Sequence, residues 1–544
     1  MNTRQLQTDK NQKLYHALLG ILLVCALAMM MLLSYWACKY SYYGAVDGRT
    51  RGVLVGDKTW AHIAVFLAAS LCTMGIDKVL MKKDKSQQEK ICLCTLIVTS
   101  VIAFILGVFY VCKNPYYPVG DQINTTAFAA YCRDGNFNML SIGGYVGMYQ
   151  QQKGLAILYE ILFTLFGDFN YRPAKILHVV WWILTILAGY GFLKLNTDRP
   201  VFRMLYCVMM LGCFPLLFYL PYIYGDVLSI SFGIILFYGV AAYEHSGQKR
   251  YIALASFAAG LAVLARKNTW IVLVAVTVYV LLVSLRKKKV RYLMAGTAIL
   301  LTAALSVKAV DVIYEVRSGY PSGVGIPSIL WVAMGLQETE GRAGVYNRYQ
   351  QATFTDYDCQ QELAAQQGKE YIRERLEEFS QDPGMAFNFF KNKVEGQWIE
   401  PMYAALESTE SFEEGAELSP VLESLYYGEL GRTIWKLTNY YQSILYLAGL
   451  MALVMLGILW WKKKEVPISL WLPWIAVFGG FLFSILWEAK SRYVFPYCVF
   501  MILYAPEGLY QMGLLLCKLP KLRKFKKSRH TQDKGEEAPL RETA

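Results

Sequence analysis

Residues 91–111 read ICLCTLIVTSVIAFILGVFYV, 21 positions without a charge, and the chain then turns at once to Cys112-Lys113-Asn114-Pro115-Tyr116-Tyr117-Pro118-Val119-Gly120-Asp121-Gln122. An uncharged run of that length matches the roughly 20 helical residues that cross a bilayer. Similar runs stand at 15–37, 60–75, 176–193, 204–220, 227–243, 251–265, 270–285, 292–310, 441–461, 466–487 and 494–516. Together they predict an all-α integral membrane protein with about twelve transmembrane helices, or thirteen if the short run 155–166 also crosses. That run is short enough to lie tilted or in the interface instead. Composition agrees: 55% of the 544 residues are hydrophobic and only 17% are charged. Those proportions argue against a soluble enzyme, a nucleic-acid binder or a disordered scaffold.

The net charge of +13 is concentrated in short segments: Arg4/Lys10/Lys13, 78–90, Lys194/Arg199/Arg203, Lys249/Arg250, 286–291, 462–464 and the tail 518–529. Basic loops are retained on the cytoplasmic side because their translocation is disfavoured. Placing all of them there makes twelve spans alternate, with 155–166 not crossing and both termini cytoplasmic. The first apolar run is of full membrane length and lacks an Ala-x-Ala-type end, so it reads as an anchor of the cytoplasmic membrane rather than a cleavable signal.

This topology predicts N-terminal spans in 1–112, a first extracytoplasmic loop with interfacial helices in 113–173 and a transmembrane core in 174–310. A mainly helical extracytoplasmic domain follows in 311–437, then C-terminal spans in 438–516 and a basic cytoplasmic tail in 517–544. Between 311 and 436 there are 21 acidic and 10 basic residues, so this loop is acidic in a basic protein. Its stretch 360–379 has the pattern of an amphipathic helix, after a turn-rich entry at Pro321, Gly323, Gly325 and Pro327.

Ionisable residues gather on the outward side. Asp121 stands just beyond a span among aromatics and a glycine turn, where a carboxylate can accept a proton from a hydroxyl at the membrane surface. It equally suits the cap of the next helix. Tyr224 and Asp226 lie in a short break after Pro215 and Pro221, and an acid at the membrane edge needs a partner or water. Arg266, Lys267 and Asn268 form a break too short for an ordinary loop, against the positive-inside trend. A lipid phosphate would neutralise them with charge-assisted hydrogen bonds, as would a structural pair with Asp226 or Glu488. Glu488, Lys490, Arg492 and Tyr493 repeat the theme, with Arg492 offering a planar fork and Lys490 a point charge. The five histidines are scattered, and neither a His-Glu-x-x-His, a Cys-x-x-Cys nor a Gly-Lys-Ser/Thr motif occurs, which argues against a protein-built zinc site or ATP hydrolysis.

The order of Gly120-Asp121-Gln122, Lys153-Gly154-Leu155 opening a run that ends Phe166-Gly167, Arg172, Pro221 to Asp226, Ala265-Arg266-Lys267-Asn268 and Arg492-Tyr493 resembles the GT-C superfamily of membrane glycosyltransferases. Within it the likeness is to the bacterial protein O-mannosyltransferase and aminoarabinose-transferase branch, over about residues 91–495. The resemblance implies an inverting transferase at the extracytoplasmic face that uses a polyprenyl-phosphate sugar. Its acceptor would be an envelope glycan, lipid or protein. It implies Asp121 as the catalytic base, with Arg266, Lys267 and Arg492 on the donor phosphate. Asp226 would orient the sugar or a basic residue. Gln122, Tyr224, Asn268, Glu488, Lys490 and Tyr493 are the further substrate-binding candidates. The branch often carries Asp-Glu where this chain has Asp121-Gln122, and Pro-Pro-Leu where it has Lys153-Gly154-Leu155, which leaves the acceptor and a divalent metal open. The rival readings are a lipid or polysaccharide transporter or flippase, an envelope-polymer ligase, and a non-enzymatic assembly protein. No convincing internal repeat of the transporter kind is present.

Overall fold

The computed structural model describes residues 3–43, 52–323, 325–464 and 466–532. Residues 533–544 of the predicted basic tail lie outside the described residues, as do the side chains of Arg4 and Lys10. Among the described residues the chain is helical apart from two small antiparallel hairpins, Tyr40–Tyr43 with Val53–Gly56 and Glu338–Thr339 with Arg342–Ala343. Nine described helices are long and apolar enough to cross a membrane. They become ten when Ser491–Met501 and Ala505–Lys518, bent by 59°, are taken as one broken span. The fold is that of an all-α, multi-pass membrane protein.

Ten of the twelve predicted spans therefore coincide with a long helix or with the bent pair. The stretch 204–220 differs: it is split into Pro200–Leu211 and Phe214–Phe218, because Gly212 and Cys213 leave the helix and Pro215 restarts it. The stretch 251–265 is the helix Lys249–Ala265, 17 residues long, which stops where Arg266 turns extended (φ −151°, ψ 126°). The short run forms the 14-residue helix Lys153–Phe166, about 21 Å at 1.5 Å per residue and thus too short for a straight crossing.

Burial separates inner from outer helices. In Asp226–Ser246, 83% of the apolar window is buried, packed between Arg172–Asn196 and Lys249–Ala265. In Lys85–Lys113 and Arg291–Ser318 only 28% is buried, and Ile105 and Phe109 present apolar surface outward. That arrangement is stable only where the surroundings are themselves apolar. At one end of the bundle the basic clusters are tied to acids: Arg199 Nη1 lies 3.0 Å from Asp77 Oδ2, and Arg203 forks onto Glu89 at 2.6 and 2.9 Å.

The opposite end carries the acidic segment. The helix predicted at 360–379 is Gln361–Gln381. Asp382 caps the next helix, Pro383–Trp398, by accepting from Met385 N at 2.9 Å, and Ser419 caps Pro420–Tyr427. The segment's two edges are continuous with spans, since Arg291–Ser318 runs in and Glu429–Trp461 runs out as single helices. Trp398 is fully buried and its Nε1 donates to Ser484 Oγ at 3.0 Å, so the segment is locked onto the bundle.

Candidate functional site

Where residues 120–152, 331–407 and 488–493 meet, they enclose a cavity of about 1500 Å³. The polar segments that the topology assigned to a single side thus do face one another. Asp121 lines this cavity as the first residue of the helix Asp121–Arg133. Gly120 ahead of it has φ +58° and ψ −127°, backbone that a side chain resists, so glycine is needed to bring the chain into the helix at this angle. The Asp121 carboxylate does not cap the helix; it is exposed and accepts a hydrogen bond from Tyr145 Oη at 2.8 Å. Burial and the Asp121 charge both raise the Tyr145 phenol, which therefore stays a donor.

The basic side of the cavity is built on Arg492, only 5% exposed. Its guanidinium carbon lies 5.2, 5.3 and 5.5 Å from the ring centres of Tyr222, Tyr224 and Tyr493. These faces compensate for lost water by cation–π attraction. Among the described residues its ion-pair partner is Asp226, with Arg492 Nε 4.0 Å from Oδ1. That oxygen is already held by Arg266, which itself stacks on Tyr224 and Tyr493 at 5.8 and 5.3 Å. Two guanidinium groups therefore share the Asp226 carboxylate, and a second acid, Glu488, accepts from Tyr493 Oη at 3.3 Å and lies within charge range of Arg266 and Lys490. Lys490 lines the cavity beside it.

Of the residues singled out from the sequence, Asp121, Tyr224, Glu488, Lys490, Arg492 and Tyr493 line the cavity. The other five do not line it. Asp226 is 1% exposed and, with Arg266, stands behind the lining residues, 4.0 Å from Arg492 Nε. Gln122 is 3% exposed and accepts from Tyr116 Oη at 2.5 Å, a packing role. Lys267 is exposed and Asn268 half-buried, and neither lines the cavity. The reason is local: Arg266 is extended whereas Lys267–Thr269 winds as a 3-10 turn, so neighbouring side chains leave in different directions.

The long segment supplies cavity residues that sequence reading missed. Glu400 is 3% exposed, with its carboxylate in the wall accepting from Met402 N at 2.8 Å and from Ala404 N at 2.5 Å. Tyr403 and Ala404 both take left-handed φ, at 52° and 56°, so the chain is wound tightly round this carboxyl. Burial, with Glu407 nearby, pushes Glu400 up to about 8; burial also raises Glu407 and Glu488. Lys393, 1% exposed, donates to Gly335 O, and burial pushes its ammonium down to about 7, with Glu488 opposing. Glu400 had a signal, since it is the lone acid in GQWIEPMYAAL (396–406). Lys393, Trp331 and Tyr145 had none.

Among the described residues, no three of His, Cys, Asp and Glu come together as metal ligands. All twelve cysteines are free thiols, including Cys112, Cys132 and Cys359. No protein-family model, no curated protein and no solved structure matches this chain.

Proposed function

We propose that the protein is a membrane glycosyltransferase of GT-C type, which moves a sugar from a polyprenyl-phosphate donor to a hydroxyl of an envelope acceptor. The observation that carries this reading is that an exposed carboxylate, Asp121, and a buried guanidinium, Arg492, share one cavity. In the reaction Asp121 takes the proton from the acceptor hydroxyl as its oxygen bonds the anomeric carbon. The bond from that carbon to the phosphate oxygen breaks, and the departing pair of electrons stays on the phosphate, held by Arg492 with Lys490 alongside. Attack opposite the leaving group inverts the anomeric centre. The carrier's prenyl chain lies in the surrounding lipid. The cavity then faces the extracytoplasmic side and the basic loops the cytoplasm, with both termini inside. Counting 200–218 and 249–265 as spans gives twelve.

The test is purified full-length protein incubated with labelled polyprenyl-phosphate sugars and envelope extract. Label leaves the lipid with the wild type, whereas Asp121→Asn abolishes transfer with folding and abundance intact. Near-normal turnover by that variant removes the base, and no loss of label from any donor removes the transferase.

A further inference from the structure

The cavity wall next to Asp121 is aromatic in an ordered way. Tyr145, whose hydroxyl holds the Asp121 carboxylate, has its ring centre 5.1 Å from that of Tyr149. Tyr149 lies 6.3 Å from Trp331, edge to face, and Trp331 is stacked from behind on Trp487 at 5.9 Å and 4°. Tyr145, Tyr149 and Trp331 all line the cavity, and Trp487 does not. The ladder thus presents rings to the space beside the carboxylate and is stiffened from the outside. Amides surround it: Asn124, Gln151 and Gln350 line the same wall. Gln350 is 1% exposed, whereas Asn124 and Gln151 are half-buried and open to the cavity.

These two features together describe one ligand chemistry. A sugar ring has C–H faces that settle on the electron-rich faces of aromatic rings, and closely spaced hydroxyls that both donate and accept. A side-chain amide also does both, which a carboxylate or an ammonium does not. A hydrocarbon tail would leave the amides unmet, and the ladder steps are comparable to the width of a sugar ring. On the transferase reading, we infer that the acceptor hydroxyl belongs to a carbohydrate, seated on Tyr145, Tyr149 and Trp331 so that one hydroxyl reaches Asp121. The donor sugar enters from the Arg492 side, and the two substrates meet between them.

The experiment uses the full chain in detergent, with a labelled polyprenyl-phosphate sugar as donor and two sets of soluble acceptors, oligosaccharides and Ser/Thr peptides. Saturation-transfer NMR of the same oligosaccharides without donor reads binding alone. The expected result is label on an oligosaccharide and a saturable NMR signal. Trp331→Ala raises the acceptor KM about tenfold with the donor KM unchanged, and Trp331→Phe restores most of it. Tyr346→Ala, at a cavity-lining residue 48% exposed that lies beside the Tyr149 hydroxyl at the edge of the ladder, keeps the test valid should Trp331→Ala fold poorly, with a smaller rise in acceptor KM. Transfer to peptides or endogenous lipid with no oligosaccharide signal overturns the inference and leaves the transferase intact. Oligosaccharide binding lost in Trp331→Ala, with no donor consumed, supports the carbohydrate site and removes the transferase.

Discussion

Replacing Arg492 by glutamine separates anion binding from folding. Asp226 keeps Arg266 after the change, so the buried carboxylate is not orphaned, and the three tyrosine rings still fill the wall. The Arg492–Asp226 separation of 4.0 Å sets the scale of what this guanidinium offers an anion in the cavity. Two unit charges at about 4 Å attract by about 4 kcal/mol at an effective dielectric constant of about 20. At about 1.4 kcal/mol per decade of rate, losing that attraction at the leaving phosphate lowers kcat/KM by about three orders of magnitude. Single preorganised donors removed from a developing anion cost about two to three orders, so the two scales agree. Arg492→Lys keeps the charge and loses the fork, and falls between the variant and the wild type. The assay is the initial rate of label transfer from the polyprenyl-phosphate sugar in nanodiscs, read with thermal unfolding of each variant. A glutamine variant that is folded and within about threefold of wild type refutes the anion site, because no such charge loss is compatible with so small a change.

Other consequences are open to the same preparation. Between pH 4.5 and about 8 the folded chain keeps a proton on Glu400 that the unfolded chain has released, so stability falls as pH rises through that window. Between about 7 and 10.5 the unfolded chain holds a proton that Lys393 has lost on folding, so stability rises with pH there. Thermal or urea unfolding across pH should show Glu400→Gln flattening the first limb and Lys393→Met the second, each by up to about 1.4 kcal/mol per pH unit. Unchanged limbs contradict the burial of these groups. At Gly225 an added Cβ would stand 1.9 Å from Ala265 O and 2.9 Å from Arg266 Cγ. Gly225→Ala therefore drives the two breaks apart and separates Asp226 from Arg266. It should destabilise by about 2–4 kcal/mol and lower transfer, measured by unfolding and rate together.

The membrane fold and part of the site are properties of local sequence. Uncharged runs such as 91–111 predict spans because apolar length against bilayer thickness is a local quantity. The two shortfalls also have local causes, Pro215 breaking one run and Arg266 ending another. Asp121 and Arg492 were legible because a charged group beside a membrane span is conspicuous against its apolar neighbours. The same reasoning selected Arg266 and Lys267 together and could not divide them, since one residue of backbone turn decides which faces the acid. It left Asp226 to orient either the sugar or a basic residue, and the packing sets the acid against Arg266 and Arg492. Glu400, Lys393 and Trp331 come from the long 311–437 segment and Tyr145 and Tyr149 from the 113–173 loop, two polar regions whose composition gave them little or no contrast. Hydropathy is summed along the chain, so it places helices in a bilayer. A cavity is made by groups distant in sequence, and which of them meet depends on the packing of helix against helix, which only the tertiary structure decides.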